Sequence, residues 1–169
     1  MSVFIAVFLC CLFLFSAISK AFDWRRFGES VAELGLARIN VKLAVIVVPA
    51  AEAAVAALLP WPGTRTAGIV LLLGLLISFA WAAWKAKGQN IECHCFGKAV
   101  SENFGALTFV RIGVCGALSI GLLAYPSQRD LFSLGAAEVL YMVLTSCGIL
   151  AAYVLLSAIA GHKKTGMTL

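Results

Sequence analysis

The chain reads as an all-α integral membrane protein, a bundle of four to five transmembrane helices. Two observations predict this. Hydrophobic residues make up 62% of the 169 positions and charged residues only 12%, with a mean hydropathy of +1.00. A soluble domain is about half apolar and about a quarter charged, so this chain cannot build a solvated surface and lipid must cover much of it. Second, the apolar residues gather into runs near the roughly 20 residues needed to cross about 30 Å of hydrocarbon. Only helix satisfies the backbone of such runs within the segment itself. Residues 1–169 form a single membrane domain, with no room for a second folded unit. The formal net charge of +5 comes without a compact basic patch or a stacking platform, which argues against a nucleic-acid partner. In a membrane protein such a charge reports topology instead.

Taken in order, the apolar segments are Val3–Ile18, Val41–Leu59, Ala67–Trp84, Ala106–Tyr125 and Ala136–Ala160. The first is the shortest and can extend through Phe22. No Lys or Arg precedes it, which speaks for a retained helix over a cleaved signal peptide. Between the first two lies Lys20–Asn40, of mixed charge with interspersed Phe22, Trp24, Phe27, Val31 and Leu34. It reads either as a short interfacial helix or as a connecting loop. Leu59-Pro60-Trp61-Pro62-Gly63 predicts a tight turn with Trp61 at headgroup level. Small residues four apart, Gly74/Ser78/Ala82 and Gly113/Ala117/Gly121, are expected to let helices approach closely.

Five crossings put two Lys/Arg residues, Arg65 and Arg129, on one side and eleven on the other. The rich side carries Lys20, Arg25, Arg26, Arg38, Lys42, Lys85, Lys87, Lys98, Arg111, Lys163 and Lys164. The positive-inside rule makes that side cytoplasmic.

The chemistry concentrates in the polar interval 89–103, around Cys93-His94-Cys95-Phe96-Gly97-Lys98. Of the six cysteines, only Cys93 and Cys95 stand in polar sequence. Cys10, Cys11, Cys115 and Cys147 lie in apolar runs, where cysteine acts as a small hydrophobe. A Cys-x-Cys pair closes a disulfide only where the chain bends, which Gly97 favours. A bond closed over one residue is strained, which raises its potential and suits it to exchange. Lys98 and Lys87 favour the nucleophilic thiolate, and His94 can relay protons or add positive charge. Ser101 is a candidate cap for the following helix, whose positive end would add to this. Ligation of zinc or copper by Cys93, His94 and Cys95 is the competing reading. The spacing suits it poorly, and no metal site is assigned. The plain alternative is two loop cysteines without a role.

Glu52 lies mid-segment beside Pro49, where an ionisable side chain is costly and is usually paired or functional. Arg111 enters the next-but-one segment from the same side and is expected to reach toward Glu52. An ion pair is the expected arrangement, with a proton- or quinone-handling role as the alternative. No cofactor is specified, and a quinone is the class left open.

The Cys-x-Cys-Phe-Gly motif, with Leu107, Thr108 and Arg111 after it, resembles the methylamine utilization protein MauE family of DoxX-like membrane proteins. Phe15-Ser16-Ala17-Ile18-Ser19-Lys20 and Pro49-x-x-Glu52 are similar to that pattern too. His94 stands where glycine is common, and Ile112 where asparagine is common. The resemblance implies an inner-membrane helper in the maturation of an exported partner, such as the disulfide-rich small subunit of methylamine dehydrogenase. It implies a thioredoxin-like partner and makes Cys93 and Cys95 the reactive pair. The expected function is thiol–disulfide exchange, tuned by His94 and Lys98. A non-enzymatic escort and a metal-handling protein are the alternatives. Because the implied client folds outside, Cys10 or Cys11 becomes a candidate station if electrons cross the bilayer.

Overall fold

Apolar side chains recur every three or four residues near the N-terminus, and that stripe becomes the buried face of the first helix. The computed structural model describes residues 2–35, 38–86, 92–93, 102–103, 106–124 and 135–165. Helix α1 (Ser2–Phe22) buries Val3, Ala6, Leu9, Phe13, Ala17 and Lys20 along one face. It is followed by α2 (Trp24–Glu33), α3 (Arg38–Leu58), α4 (Pro62–Lys85), β1 (Glu92–Cys93), β2 (Glu102–Asn103), α5 (Ala106–Ala124) and α6 (Ala136–Thr165). Four of these helices are long and apolar enough to cross a membrane, with α1, α3, α4 and α6 supplying the spans. In α5 the apolar stretch Phe109–Ala124 is shorter. The bundle of four to five crossings is therefore as the composition requires.

The core is one cluster drawn from four helices. Leu9 and Phe13 of α1 meet Val55 of α3 and Leu59 just past its end, Ile69, Leu72 and Leu76 of α4, and Cys115 and Leu122 of α5. Among the described residues α6 contributes none to this cluster, and the helix packs on α1. Helices α1 and α3 run antiparallel. Cys10 lies beside Ala56 and Ser16 beside Glu52, so numbers rise on one helix as they fall on the other.

The Lys20–Asn40 interval holds a helix, not a plain loop. Helical hydrogen bonding continues across Asp23, from the Asp23 amide to the Ser19 carbonyl and from the Phe27 amide to the Asp23 carbonyl, both at 3.1 Å. Helix α2 thus prolongs α1 after a one-residue break. It packs on α3, where a Cβ at Gly28 would sit 3.4 Å from Val45 Cγ2. Gly35 ends this stretch with φ of 73°, a left-handed conformation that glycine adopts without strain. Leu34 then packs against Ala86, just past the end of α4.

The predicted turn around Trp61 is present. Pro62 occupies the start of α4, where its missing amide proton costs nothing. The open carbonyls ending α3 are satisfied from α4: Thr64 Oγ1 donates to the Leu58 carbonyl at 3.0 Å, and buried Arg65 Nε donates to the Leu59 carbonyl at 3.3 Å. Arg65 therefore acts as a helix cap as well as a topology charge.

The small-residue stripes correct the sequence reading. A Cβ at Gly74, Gly113 or Gly121 would meet nothing within 4 Å. Those glycines face away from the helix contacts, which the larger Leu72, Leu76, Cys115 and Leu122 carry, and of the first stripe Ala82 packs against Leu34 and Ala86. The close approach is at Gly68, where a Cβ would sit 3.1 Å from Leu58 Cβ and 3.3 Å from the Leu59 nitrogen.

Replacement of Gly68 by valine should therefore destabilise the protein by about 1–3 kcal/mol through overpacking against the α3 backbone. Valine at Gly74 should cost less than about 1 kcal/mol, the range of helix-propensity differences. Unfolding of both variants in mixed micelles checks this, and equal losses would contradict the packing described.

Candidate functional site

Two features carry the candidate chemistry. The first is the β1–β2 ladder. It is antiparallel, with Glu92 paired to Asn103 and Cys93 to Glu102. This pairing closes the polar interval into a hairpin and fixes the backbone of Cys93 at its base. His94, Cys95 and Lys98 lie outside the described residues, as does Ser101. The expected capping of the next helix by Ser101 gives way to the ladder. Glu102 and Asn103 follow Ser101 as a strand, and α5 starts only at Ala106. The register also sets an acidic residue opposite Cys93, whereas the sequence had drawn attention only to nearby lysines.

The second feature is a buried charge cluster. Lys20 Nζ lies 2.6 Å from Glu52 Oε1, and the two side chains are 1% and 0% exposed. Lys20 Nζ also donates to Ser16 Oγ at 2.6 Å, while Ser16 Oγ donates to the same Glu52 oxygen at 3.2 Å. The ammonium stands 5.2 Å from the ring centre of Phe79 on α4 and 5.8 Å from that of Phe27 on α2. Four helices thus surround one positive charge. Glu52 Oε2 is buried and has no hydrogen-bond partner among the described residues.

The partner expected for Glu52 was Arg111, and the structure supplies Lys20 instead. Lys20 had been counted among the flanking topology charges. It belongs to α1, one turn after Ser16, and so faces the core as Ser16 does. The signal was present in the sequence. Ala6, Leu9, Phe13, Ser16 or Ala17, and Lys20 continue one helical stripe, as Glu52, Val55, Ala56 and Leu59 do on α3. Arg111 pairs with α6: its guanidinium donates a short hydrogen bond to the Tyr153 hydroxyl and lies 5.0 Å from the ring centre.

Phe79 stands six residues before Lys85 at the end of α4, and Glu52 six residues before Leu58 at the end of α3. Each interval is about 9 Å at about 1.5 Å per residue, so the cluster lies inside the bundle and at neither end.

The other cysteines lie within helices. Cys10 Sγ donates to the Ala56 carbonyl at 3.1 Å, Cys115 is buried in the core, and Cys11 and Cys147 are free thiols on α1 and α6. Among the described residues no group of three or more His, Cys, Asp or Glu side chains could hold a metal ion.

Four helices long and apolar enough to cross a membrane, packed around a buried lysine–glutamate pair, define the protein as an integral membrane protein. The family model described as Methylamine utilisation protein MauE matches residues 1–125, and the chain belongs to that family. The match spans α1 to α5 and stops before α6. No curated protein and no solved structure matches the chain.

Removing one partner of the buried pair strands the other charge in the bundle. Lys20→Met should cost about 3–5 kcal/mol. The double variant Lys20→Met/Glu52→Leu should recover most of that loss. A double-mutant cycle of unfolding in micelles measures the coupling, and additive losses would show that the two side chains do not interact.

Proposed function

We propose that this MauE-family protein performs thiol–disulfide exchange at a membrane face, with Cys93 and Cys95 as the redox pair, in the maturation of an exported partner. The observation that carries the reading is the ladder register. It anchors Cys93 at the base of a hairpin outside the helices, whereas Cys10, Cys11, Cys115 and Cys147 belong to helices. A protein that exchanges disulfides needs a thiol outside the lipid on a fixed support, and the ladder provides that support.

In the oxidising direction, a client thiolate attacks the Cys93–Cys95 disulfide. A mixed disulfide forms and one cysteine leaves as thiolate. A second client thiolate then displaces the bound cysteine, so that the client gains a disulfide and the pair gains two electrons. Reoxidation requires a disulfide on a thioredoxin-like protein or a quinone as two-electron acceptor. Lys98 and His94 supply positive charge that favours the leaving thiolate. The Lys20–Glu52–Ser16 cluster holds α1, α3 and α4 together.

The membrane is proposed to be the cell inner membrane. Lys20 and Arg65 serve inside the bundle. Without them, Arg129 stands against ten Lys and Arg residues, Arg111 included, on the hairpin side. The positive-inside bias then makes the hairpin cytoplasmic, and a client that folds outside requires electrons to cross the bilayer.

Cys93→Ser or Cys95→Ser should abolish client oxidation, and one of the two should trap a client mixed disulfide visible on a non-reducing gel. Normal client maturation in the double serine variant would instead identify a non-enzymatic escort. An impermeant maleimide should label Cys93 and Cys95 in opened cells and not in intact ones. Labelling in intact cells would reverse the orientation.

A further inference from the structure

Two of the apolar spans end on the same side of the bundle, and each ends beside a tryptophan that carries a cation. The first span closes at Phe22 and the third at Lys85. Numbers rise on α1 as they fall on α3, and they rise on α4 in the same direction, from Gly68 beside Leu58 to Phe79 near the Lys20–Glu52 pair. Leu34, just past α2, packs on Ala86, just past α4, which ties the two ends together. After the first span, the Arg25 guanidinium lies 5.4 Å from the ring centre of Trp24. Near the end of α4, Lys85 Nζ lies 5.2 Å from the ring centre of Trp81. Trp24, Trp81 and Trp84 are exposed, and Phe22 is 84% exposed.

No protein carboxylate neutralises this rim. Arg25, Arg26 and Lys85 are exposed and form no ion pair among the described residues. Asp23, Glu29 and Glu33 are near the arginines in sequence, yet none of them is paired with one among the described residues. Depth narrows what can meet these cations. Helix α4 has 24 residues, about 36 Å at about 1.5 Å per residue, against about 30 Å of hydrocarbon, so Lys85 clears the apolar layer. Indole rings settle at the boundary between hydrocarbon and headgroups, and a cation held over such a ring stays at that boundary. An acidic soluble protein would leave Phe22 and the indoles to be covered by something else. A phospholipid covers them with its acyl chains while its phosphate meets the cations. An anionic headgroup adds net charge complementarity, whereas a choline headgroup brings a cation of its own.

We propose that this rim, Trp24, Arg25 and Arg26 from α2 and Trp81, Trp84 and Lys85 from α4, is a binding surface for anionic phospholipid headgroups. Bound lipid holds the start of α2 and the end of α4 at one depth. The proposal does not depend on the hairpin chemistry.

The test uses the full chain in phosphatidylcholine vesicles, with Trp61→Phe so that the three remaining tryptophans all stand at the rim. The probes are brominated phosphatidylglycerol and brominated phosphatidylcholine, each of which quenches indole fluorescence on contact. Each cation near an anionic surface contributes about fivefold in affinity, so the rim should prefer phosphatidylglycerol by about tenfold or more. Arg25→Gln/Arg26→Gln/Lys85→Gln should remove most of that preference while leaving the helical circular dichroism unchanged. A companion chain that keeps only Trp61, in the turn at the opposite end of α4, should be quenched equally by the two lipids. Three outcomes would overturn the proposal: equal quenching of the rim by both lipids, an undiminished preference in the folded triple variant, or the same preference at Trp61. The comparison of the two lipids on the parent rim decides the matter even where the triple variant folds poorly.

Discussion

A lysine and a glutamate held together inside an apolar bundle set the terms for the rest of this structure. Removing either charge from water costs several kcal/mol even after relaxation, and the cost is met only where the geometry is close and further hydrogen bonds are made. Both conditions hold. Lys20 Nζ has Glu52 Oε1 and Ser16 Oγ each at 2.6 Å, with Phe27 and Phe79 presenting ring faces to the remaining side. Such a contact tolerates little sliding. It sets the register of α1 against α3 and brings α2 and α4 around the same ammonium. Apolar packing alone resists a shift of one turn far less, because one leucine substitutes for another.

Helix α4 carries Phe79 to Lys20, ends within two turns, and hands the chain to β1. Leu34 at the end of α2 packs on Ala86, which ties the α2–α3 connection to the same end. The turn between α3 and α4 is closed by Thr64 and Arg65, which cap α3. Helix α6 stands apart. It lies outside the apolar core and outside the family match, and it joins the bundle through α1 and the Arg111–Tyr153 contact.

Much of the fold was legible because lipid imposes a strong rule. Apolar runs of bilayer length must be helices, so five of the six helices could be bounded from composition to within five residues, with the start of α4 and the end of α6 the furthest off. The short α2 was undecided because ten amphipathic residues satisfy a loop as well as a helix, and only α3 decides between them. The stripes of small residues misled, since spacing alone does not say which face meets a neighbour. At the site, Glu52 was recognisable from its depth, yet its partner was assigned by side of the membrane instead of by helix face. Lys20 sits near the end of an apolar run, where lysine usually reaches for the headgroups. The stripe through Phe13 and Ser16 turns it inward instead. The hairpin register could not be read in advance, because two paired residues on each strand leave no periodicity to detect.

The account rests on the ammonium of Lys20 and the carboxylate of Glu52 being in contact within the bilayer. Solid-state NMR of the protein in lipid, with 15N-labelled lysine and 13C-labelled glutamate, measures that contact directly through dipolar transfer from Lys20 Nζ to Glu52 Cδ. The structure requires strong transfer at short mixing times, with Lys20 Nζ shielded from exchange with water. Absence of transfer, with Lys20 in contact with water or lipid headgroups, would contradict it.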